Sequence, residues 1–336
     1  MQKIKNIIKK FIPKRFLEKR NQNFVIKKYD SYSNYDKELF LEHSNILHQE
    51  TQLKYIGRIV QLYHIIEKGL TMPEMRLGFG QPKLINLIDK CLDYQKKYDT
   101  KNIQYQHAIG VIAEYKNIHQ EHQFPLEESL LVKIKSILEK ESDLKITKQL
   151  IKTKANYFEH QLAAFDTFSN SRHSIRNFSG TIKSEQIEEA IRLAQNTPTA
   201  CNRQPIRVHI IENKELIAEA FKIQNGNRGF GHLVDKLLVI TADISSYQDS
   251  EERNLPYVDG GMYTMNLLYA LHFNKVAAIP LNWCRTKEED LKMRKVISIP
   301  NSEIIIVFVG CGNLPDDFKL AVSKRYDYKD IFTKHN

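Results

Sequence analysis

Two arginines bracket a serine in SRHSIRNFSG, residues 171 to 180. Arg172 and Arg176 each offer a planar fork of donors, and the Ser174 hydroxyl can complete a cradle between them. The set reads either as a solvated basic turn or as one wall of an anion site. A second basic-hydroxyl pair, Ser323 and Arg325 in SKRYD, lies near the C-terminus. Between these, TPTACNRQP (197–205) holds Thr199, Asn202 and Gln204 in a turn set by Pro198 and Pro205. Amide side chains both donate and accept, as the edge of a flavin or a base requires. In AAIPLNW (277–283) a strand-like run ends in a turn at Pro280, Leu281 and Asn282.

The elements that must position these groups change character along the chain. From about residue 35 to 168 the pattern is helical, with Ile59, Leu62 and Ile66 on one face, then Ile85, Ile88 and Leu92, then Leu131, Ile134 and Leu138. No β-rich run stands out there, and TMPEMRLGFGQP reads as a loop. After residue 170, IRVHII (206–211), KLLVITA (236–242), KVAAIP (275–280) and EIIIVFVG (303–310) read as strands, the second and fourth buried on both faces. SEQIEEAIRLAQ is a helix with Ser184 as its expected N-cap. GGMYTMNLLYALHF is a helix apolar around most of its circumference, which requires burial inside the domain or against a second subunit.

The 336 residues suggest two domains, and 50 basic against 40 acidic residues give a formal charge of +10. That balance suits nucleic acid, an acidic membrane surface or phosphorylated ligands. No aromatic-basic platform or zinc module accompanies it, so no nucleic-acid role is expected. Cys91, Cys201, Cys284 and Cys311 form no CxxC pair and are expected as reduced thiols in a cytoplasmic protein. His119 and His122 stand one helical turn apart, as a metal pair could, but no third ligand suggests itself and a surface pair is expected. The first residues, MQKIKNIIKKFIPKRFLEKR, lack the apolar core of a signal peptide. Ile4, Ile7, Ile8 and Phe11 make a short basic amphipathic helix, read either as contacting an anionic leaflet or as an ordinary basic arm.

Order and spacing join the polar stretches. RHSIRNF resembles the Arg-x-Ser-x-Arg-x-Phe opening of the FMN-dependent nitroreductase family. TPTACNRQP is similar to its Pro-Ser-x-x-Asn-x-Gln-Pro-Trp segment, and YVDGGMYTMNLLYAL to its Asp-x-Gly helix. AAIPLNW and VFVGCGN resemble its last strands, and Ser323 and Arg325 its C-terminal Ser-x-Arg. The resemblance covers about residues 168 to 336. It implies an α+β fold, a three-layer sandwich with a central, mostly antiparallel sheet, here preceded by an all-α domain. The expected division is a basic segment 1–22, a helical domain 23–167 and an FMN domain 168–336. It further implies an intertwined homodimer with an FMN at each of two interface sites. Arg172, Ser174 and Arg325 would hold the phosphate, with His173, Arg176, Gln204 and Ser323 in the same cofactor-binding set. Thr199 and Asn202 would reach the flavin from the partner subunit. The backbone of Pro280, Leu281 and Asn282 would lie near flavin N5, and Asn227 would contact the pyrimidine ring. Arg176 is open between FMN and a carboxylate partner.

The implied chemistry is ping-pong hydride transfer through N5, from NADH or NADPH to a small-molecule acceptor of nitro, quinone or enone type. The sequence departs from the family where Thr199 replaces a serine, Ala200 stands where many members keep another serine, and Ile206 replaces a tryptophan. His64, Glu67 and Lys68 in YHIIEKGL, with Arg76 and GFG beyond, read as a pocket lining over the flavin or as a glycine-terminated helix with a paired buried charge. EKGL followed by R-x-GFG is similar to nitroreductase-like proteins of surface-polysaccharide gene clusters. That resemblance would place the chain at the inner leaflet, peripheral through residues 1–20. A reading of a different class is a non-enzymatic membrane or interaction protein that retains FMN or only the fold.

Overall fold

The computed structural model describes residues 13–47, 51–139 and 145–335. The amphipathic stretch at residues 4–11 lies outside them. Helix α1 (Lys14–His43) starts behind Pro13, whose φ of −52° suits a helix entry, and runs without a break through residue 22. It leaves Phe16, Phe24, Phe40 and other apolar side chains exposed. One stretch of it docks on residues 249–253. Lys28 pairs with Asp249 at 3.0 Å, and Asp36 takes both arms of Arg253 at 2.7 Å.

Four helices build a core of their own: α2 (Gln52–Leu70), α3 (Gln81–Gln95), α4 (Ile103–Glu121) and α5 (Glu128–Leu138). Thr51 caps α2 through Lys54 N–H, and Asn102 caps α4 through Gln104 N–H. Ile59, Leu62 and Ile66 are buried as the spacing requires. On α3 and α5 the buried stripes are Leu84, Leu87, Ile88, Cys91 and Leu130, Ile134, Ile137. Ile85, Leu92, Leu131 and Leu138 are flank residues, only partly buried. Adjacent apolar positions left the phase of the stripe ambiguous, and the bundle geometry chose the neighbour. Gly69 lets α2 meet the following loop, since a Cβ there would sit 1.9 Å from the Phe79 ring.

The expectation of no strand before residue 170 fails at one place. Strand β1 (Leu150–Thr153) is followed by α6 (Lys154–Phe158), α7 (Phe165–Ser171), α8 (Ser184–Ala194), β2 (Ile206–Ile211), α9 (Lys214–Ile223) and β3 (Lys236–Asp243). Then come α10 (Leu255–Phe273), β4 (Ala277–Asn282), α11 (Lys287–Val296), β5 (Glu303–Gly312) and β6 (Asp317–Leu320). β1 pairs antiparallel with β6, a seam between the first and last parts of the chain. The main sheet has the order β2-β3-β5-β4, every pair antiparallel. Leu237 and Val239 face a layer with α9 and α11, while Leu238 and Ile240 face α8 and α10. The fold is thus an α+β three-layer sandwich preceded by a helical part. Ser184 is the first residue of α8 rather than its cap: its hydroxyl bonds Glu212, and Gln186 closes the turn by accepting from Lys183 N–H. Among the described residues no helix is long and apolar enough to cross a membrane.

Candidate functional site

Past α7 the chain runs extended along the free edge of β4, where Ile175 N–H donates to Ala278 O at 3.1 Å. In extended backbone, side chains alternate. Ile175 and Phe178 are buried in the core, and Gly312 leaves room for the Phe178 ring. Arg172, Ser174 and Arg176 line a cavity of about 680 Å³ instead. Alternation alone does not place them: His173, between Arg172 and Ser174, lines the same cavity, while Phe178, in phase with Arg176, is buried.

The same cavity is lined by His173, by Ser323, Lys324 and Arg325 from the tail, by Tyr63 and His64 of α2, and by Met265 and Tyr269 of α10. The two basic pairs, more than 140 residues apart in sequence, meet here. Both Arg172 and Arg325 act on His173, whose pKa lies below the usual histidine value through burial and then through these charges. No Asp or Glu is among the lining residues described. Buried Arg172 Nε has no hydrogen-bond partner among the described residues. Burial lowers the Arg176 pKa to about 10, with Glu67 acting against it; no hydrogen bond from Arg176 to a carboxylate occurs among the described residues. Lys68 is likewise lowered, by burial and then by Arg176. The site is a confined positive field with unsatisfied donors, the environment that an oxyanion stabilises.

Glu67 is fully buried behind the cavity and accepts from His107 Nε2 at 2.7 Å, with His64 Nδ1 at 3.4 Å. Glu67 is the paired buried charge of the EKGL stretch, and His64 lines the cavity. Arg76 is exposed and does not. The glycine does not terminate the helix: α2 continues through Gly69 to Leu70, and Thr71 is its C-cap. His119 is not at the surface: it is fully buried, accepts from Gly78 N–H at 2.8 Å and bonds Tyr115 O through Nδ1. Among the described residues no group of three His, Cys, Asp or Glu could hold a metal ion.

The other candidates lie apart from the cavity. Thr199, Asn202 and Gln204 occupy a tight turn in which Cys201, Asn202 and Gln204 have φ near +50°, and Gln204 N–H bonds Thr199 Oγ1 at 3.0 Å. Asn202 and Gln204 are exposed. The turn is fixed from below. Buried Asp259 accepts from Ala200 N–H and Tyr247 Oη–H, and Arg203 makes a bidentate pair with Glu252. Gly260, next to Asp259, lets α10 approach β5, since a Cβ there would meet Ile306 at 2.8 Å. Pro280, Leu281 and Asn282 form no turn: they are the last residues of β4, paired with Val309, Phe308 and Val307 of β5, on an edge strand that tolerates the missing N–H of proline. Asn227 lines a separate cavity of about 410 Å³, where its Nδ2 donates to Phe221 O, Gln224 O and Gln224 Oε1.

One further residue, outside the cavity lining, was not legible in the sequence. His272 of α10 is buried among Tyr157, Phe158 and Phe168. Ser171 Oγ–H donates to Phe168 O at 2.8 Å, so His272 Nε2–H donates to Ser171 Oγ, also at 2.8 Å. The bare Nδ1 has no partner among the described residues. Burial, then Arg172 and His173, lowers the His272 pKa to about 4. The unfolded chain therefore binds this proton first, and stability is lost as pH falls from about 6.5 through about 4. The loss should reach about 3 kcal/mol, at 1.36 kcal/mol per unit. Urea melts between pH 7 and 4.5 should show it, and His272→Phe should flatten that slope. An equal slope in the variant would assign the acid loss elsewhere.

Comparison with known proteins bears on the second half. Residues 170–230 match the model of the nitroreductase family. Among solved structures, a nitroreductase family protein from Streptococcus pneumoniae is 17% identical, with 51% of this chain on 100% of that one and a TM-score of 0.45. An FMN-dependent nitroreductase from Clostridium difficile is 15% identical, over 48% of this chain and 92% of that one, at a TM-score of 0.40. A nitroreductase family protein from Clostridium novyi is 15% identical, over 46% and 86%, also at 0.40. No curated protein matches. Arg172, Ser174, Arg176, Thr199 and Asn202 all fall inside the matched segment, so the part of the chain that supplies one cavity wall and the fixed polar turn is the part that is similar to the nitroreductase family.

Proposed function

We propose that the second half binds FMN, with the phosphate between Arg172, Ser174 and Arg325, and works as an NAD(P)H-dependent oxidoreductase. The observation that carries this is the cavity itself: three guanidinium groups, the orphan Nε of Arg172, the hydroxyls of Ser174 and Ser323, and no lining carboxylate among the described residues. A phosphate dianion fits that donor set. When bound, FMN supplies hydride uptake and delivery at N5, so a nicotinamide and then an acceptor of nitro, quinone or enone type can react in turn. The protein's part is to bind and orient. Arg172 and Arg325 neutralise the phosphate, and Pro280, Leu281 and Asn282 are the residues assigned to the N5 edge. Asn227 is assigned to the pyrimidine ring.

Thr199, Asn202 and Gln204 do not line the Arg172 cavity of their own chain, which supports their serving a partner subunit. The exposed stripe of Tyr257, Val258, Met262 and Met265 on α10 supports a homodimer. Residues 23–167 and 168–336 are taken as the helical and FMN domains. The EKGL likeness supports a role in surface-polysaccharide assembly with residues 1–20 on an anionic leaflet. Sedimentation with anionic liposomes should then disappear when residues 1–20 are deleted, and unchanged sedimentation would reject that contact.

The enzymatic reading is tested by anaerobic addition of NADH or NADPH to the FMN-loaded protein. The flavin band should bleach, and a quinone or nitroaromatic should restore it. Bound FMN that neither nicotinamide reduces would instead identify a flavin-retaining interaction protein.

A further inference from the structure

We infer that the helical half builds one wall of the anion site: Gln149, Glu67 and Gln104 are positioning residues that set the backbone of residues 322–324 and so place Ser323 and Arg325 opposite Arg172. The inference rests on the FMN reading above and extends it to residues outside the family-like half.

Beyond β6 the tail through residue 327 has no regular secondary structure. Its path is fixed by three buried side chains at three successive residues. Val322 N–H donates to Gln149 Oε1 at 3.1 Å, and Ser323 N–H to Glu67 Oε1 at 3.3 Å. Gln104 Nε2–H donates to Lys324 O at 3.2 Å. Each clamp is braced in turn. Gln149 donates through N–H and Nε2 to Glu114 at 2.9 and 2.7 Å, Glu67 accepts from His107, and Gln104 Oε1 accepts from Tyr63 Oη–H at 2.5 Å. All three are nearly inaccessible, at 8%, 0% and 2% exposure. Amides that serve only to fill a helical core would not converge on one stretch of foreign backbone.

The tail needs such restraint. Ser323 sits at φ +48°, a left-handed conformation unfavourable for a residue with a Cβ. Arg325 is exposed, and its side chain has no partner among the described residues, so its position depends on the backbone before it. The clamp residues are 45 and 37 positions apart (104 to 149, 67 to 104), and only the folded bundle brings them together.

The test compares FMN with riboflavin, which lacks the phosphate, by fluorescence titration of the full-length chain. Gln104→Met keeps the side-chain length but removes the bond to Lys324 O. Gln149→Met, a second variant at a residue outside the cavity lining, removes the bond to Val322 N–H. The Kd for FMN should rise about tenfold, the scale of one buried hydrogen bond, while the Kd for riboflavin stays unchanged. Amide exchange at residues 322–324 should quicken in the flavin-free protein. Equal weakening of both flavins, unchanged FMN affinity, or unchanged exchange would overturn the inference. Wild-type protein that binds no FMN would remove the FMN reading and this inference with it; wild-type binding that the variants share would remove this inference alone.

Discussion

Arg172→Ala should weaken FMN binding by roughly 30- to 150-fold, or about 2–3 kcal/mol, the range of hydrogen bonds to charged groups. Arg172 lines the cavity, and its Nε is buried without a partner among the described residues. A guanidinium held that way is a preformed donor whose desolvation is already included in the free protein. Removing it should cost little stability, and the melting temperature should hold or rise. Riboflavin affinity should not change. Arg172→Lys should recover only part of the loss, because an ammonium cannot reproduce the fork. Fluorescence titration and thermal melts of the same preparations separate these effects. If Arg172→Ala lowers the melting temperature and leaves FMN affinity alone, Arg172 is a structural residue.

Glu67→Leu should destabilise the protein by about 3–5 kcal/mol, the cost of removing one member of a buried charge network. The substitution strands His107 Nε2 and Ser323 N–H. It also removes the one carboxylate whose charge is felt at Arg176. Burial alone pushes the Glu67 carboxyl up, but the hydrogen bonds from His107 and His64 outweigh it and hold the pKa below the usual carboxylate value. A lowered folded pKa contributes stability above the unfolded value of 4.5, and that stability is lost as pH falls through the folded value. Wild type should therefore lose this contribution below about pH 4.5, while Glu67→Leu, having lost it already, should fall less steeply there. Urea melts at pH 7 and pH 3.5 measure both. A variant as stable as wild type at pH 7 would show that the network contributes nothing net.

β3 and β5 were legible because they are long, rich in Val and Ile, and buried on both faces, and β2 and β4 as shorter apolar runs. β1 and β6 were not. Leu150–Thr153 has no alternation and three exposed residues of four, so its strand character comes from pairing with Asp317–Leu320 across the fold. The candidate site was legible as two separate basic pairs, and the cavity joins them. What could not be read was the shared target of the helical half. Glu67 stood out in EKGL, as a pocket lining or a paired buried charge, but Gln104 and Gln149 look like ordinary polar residues, and the tail backbone that all three hold is in place only after it has docked. His272 was hidden in the same way, as one more residue on an apolar helix.

The account stands most directly on whether the full-length chain takes up FMN through its phosphate. Equilibrium dialysis of the purified protein against FMN, with riboflavin and inorganic phosphate as competitors, measures this. The prediction is one FMN per chain, displaced by phosphate and bound much more tightly than riboflavin. Protein that retains no FMN after reconstitution, or binds FMN and riboflavin equally well, would contradict it.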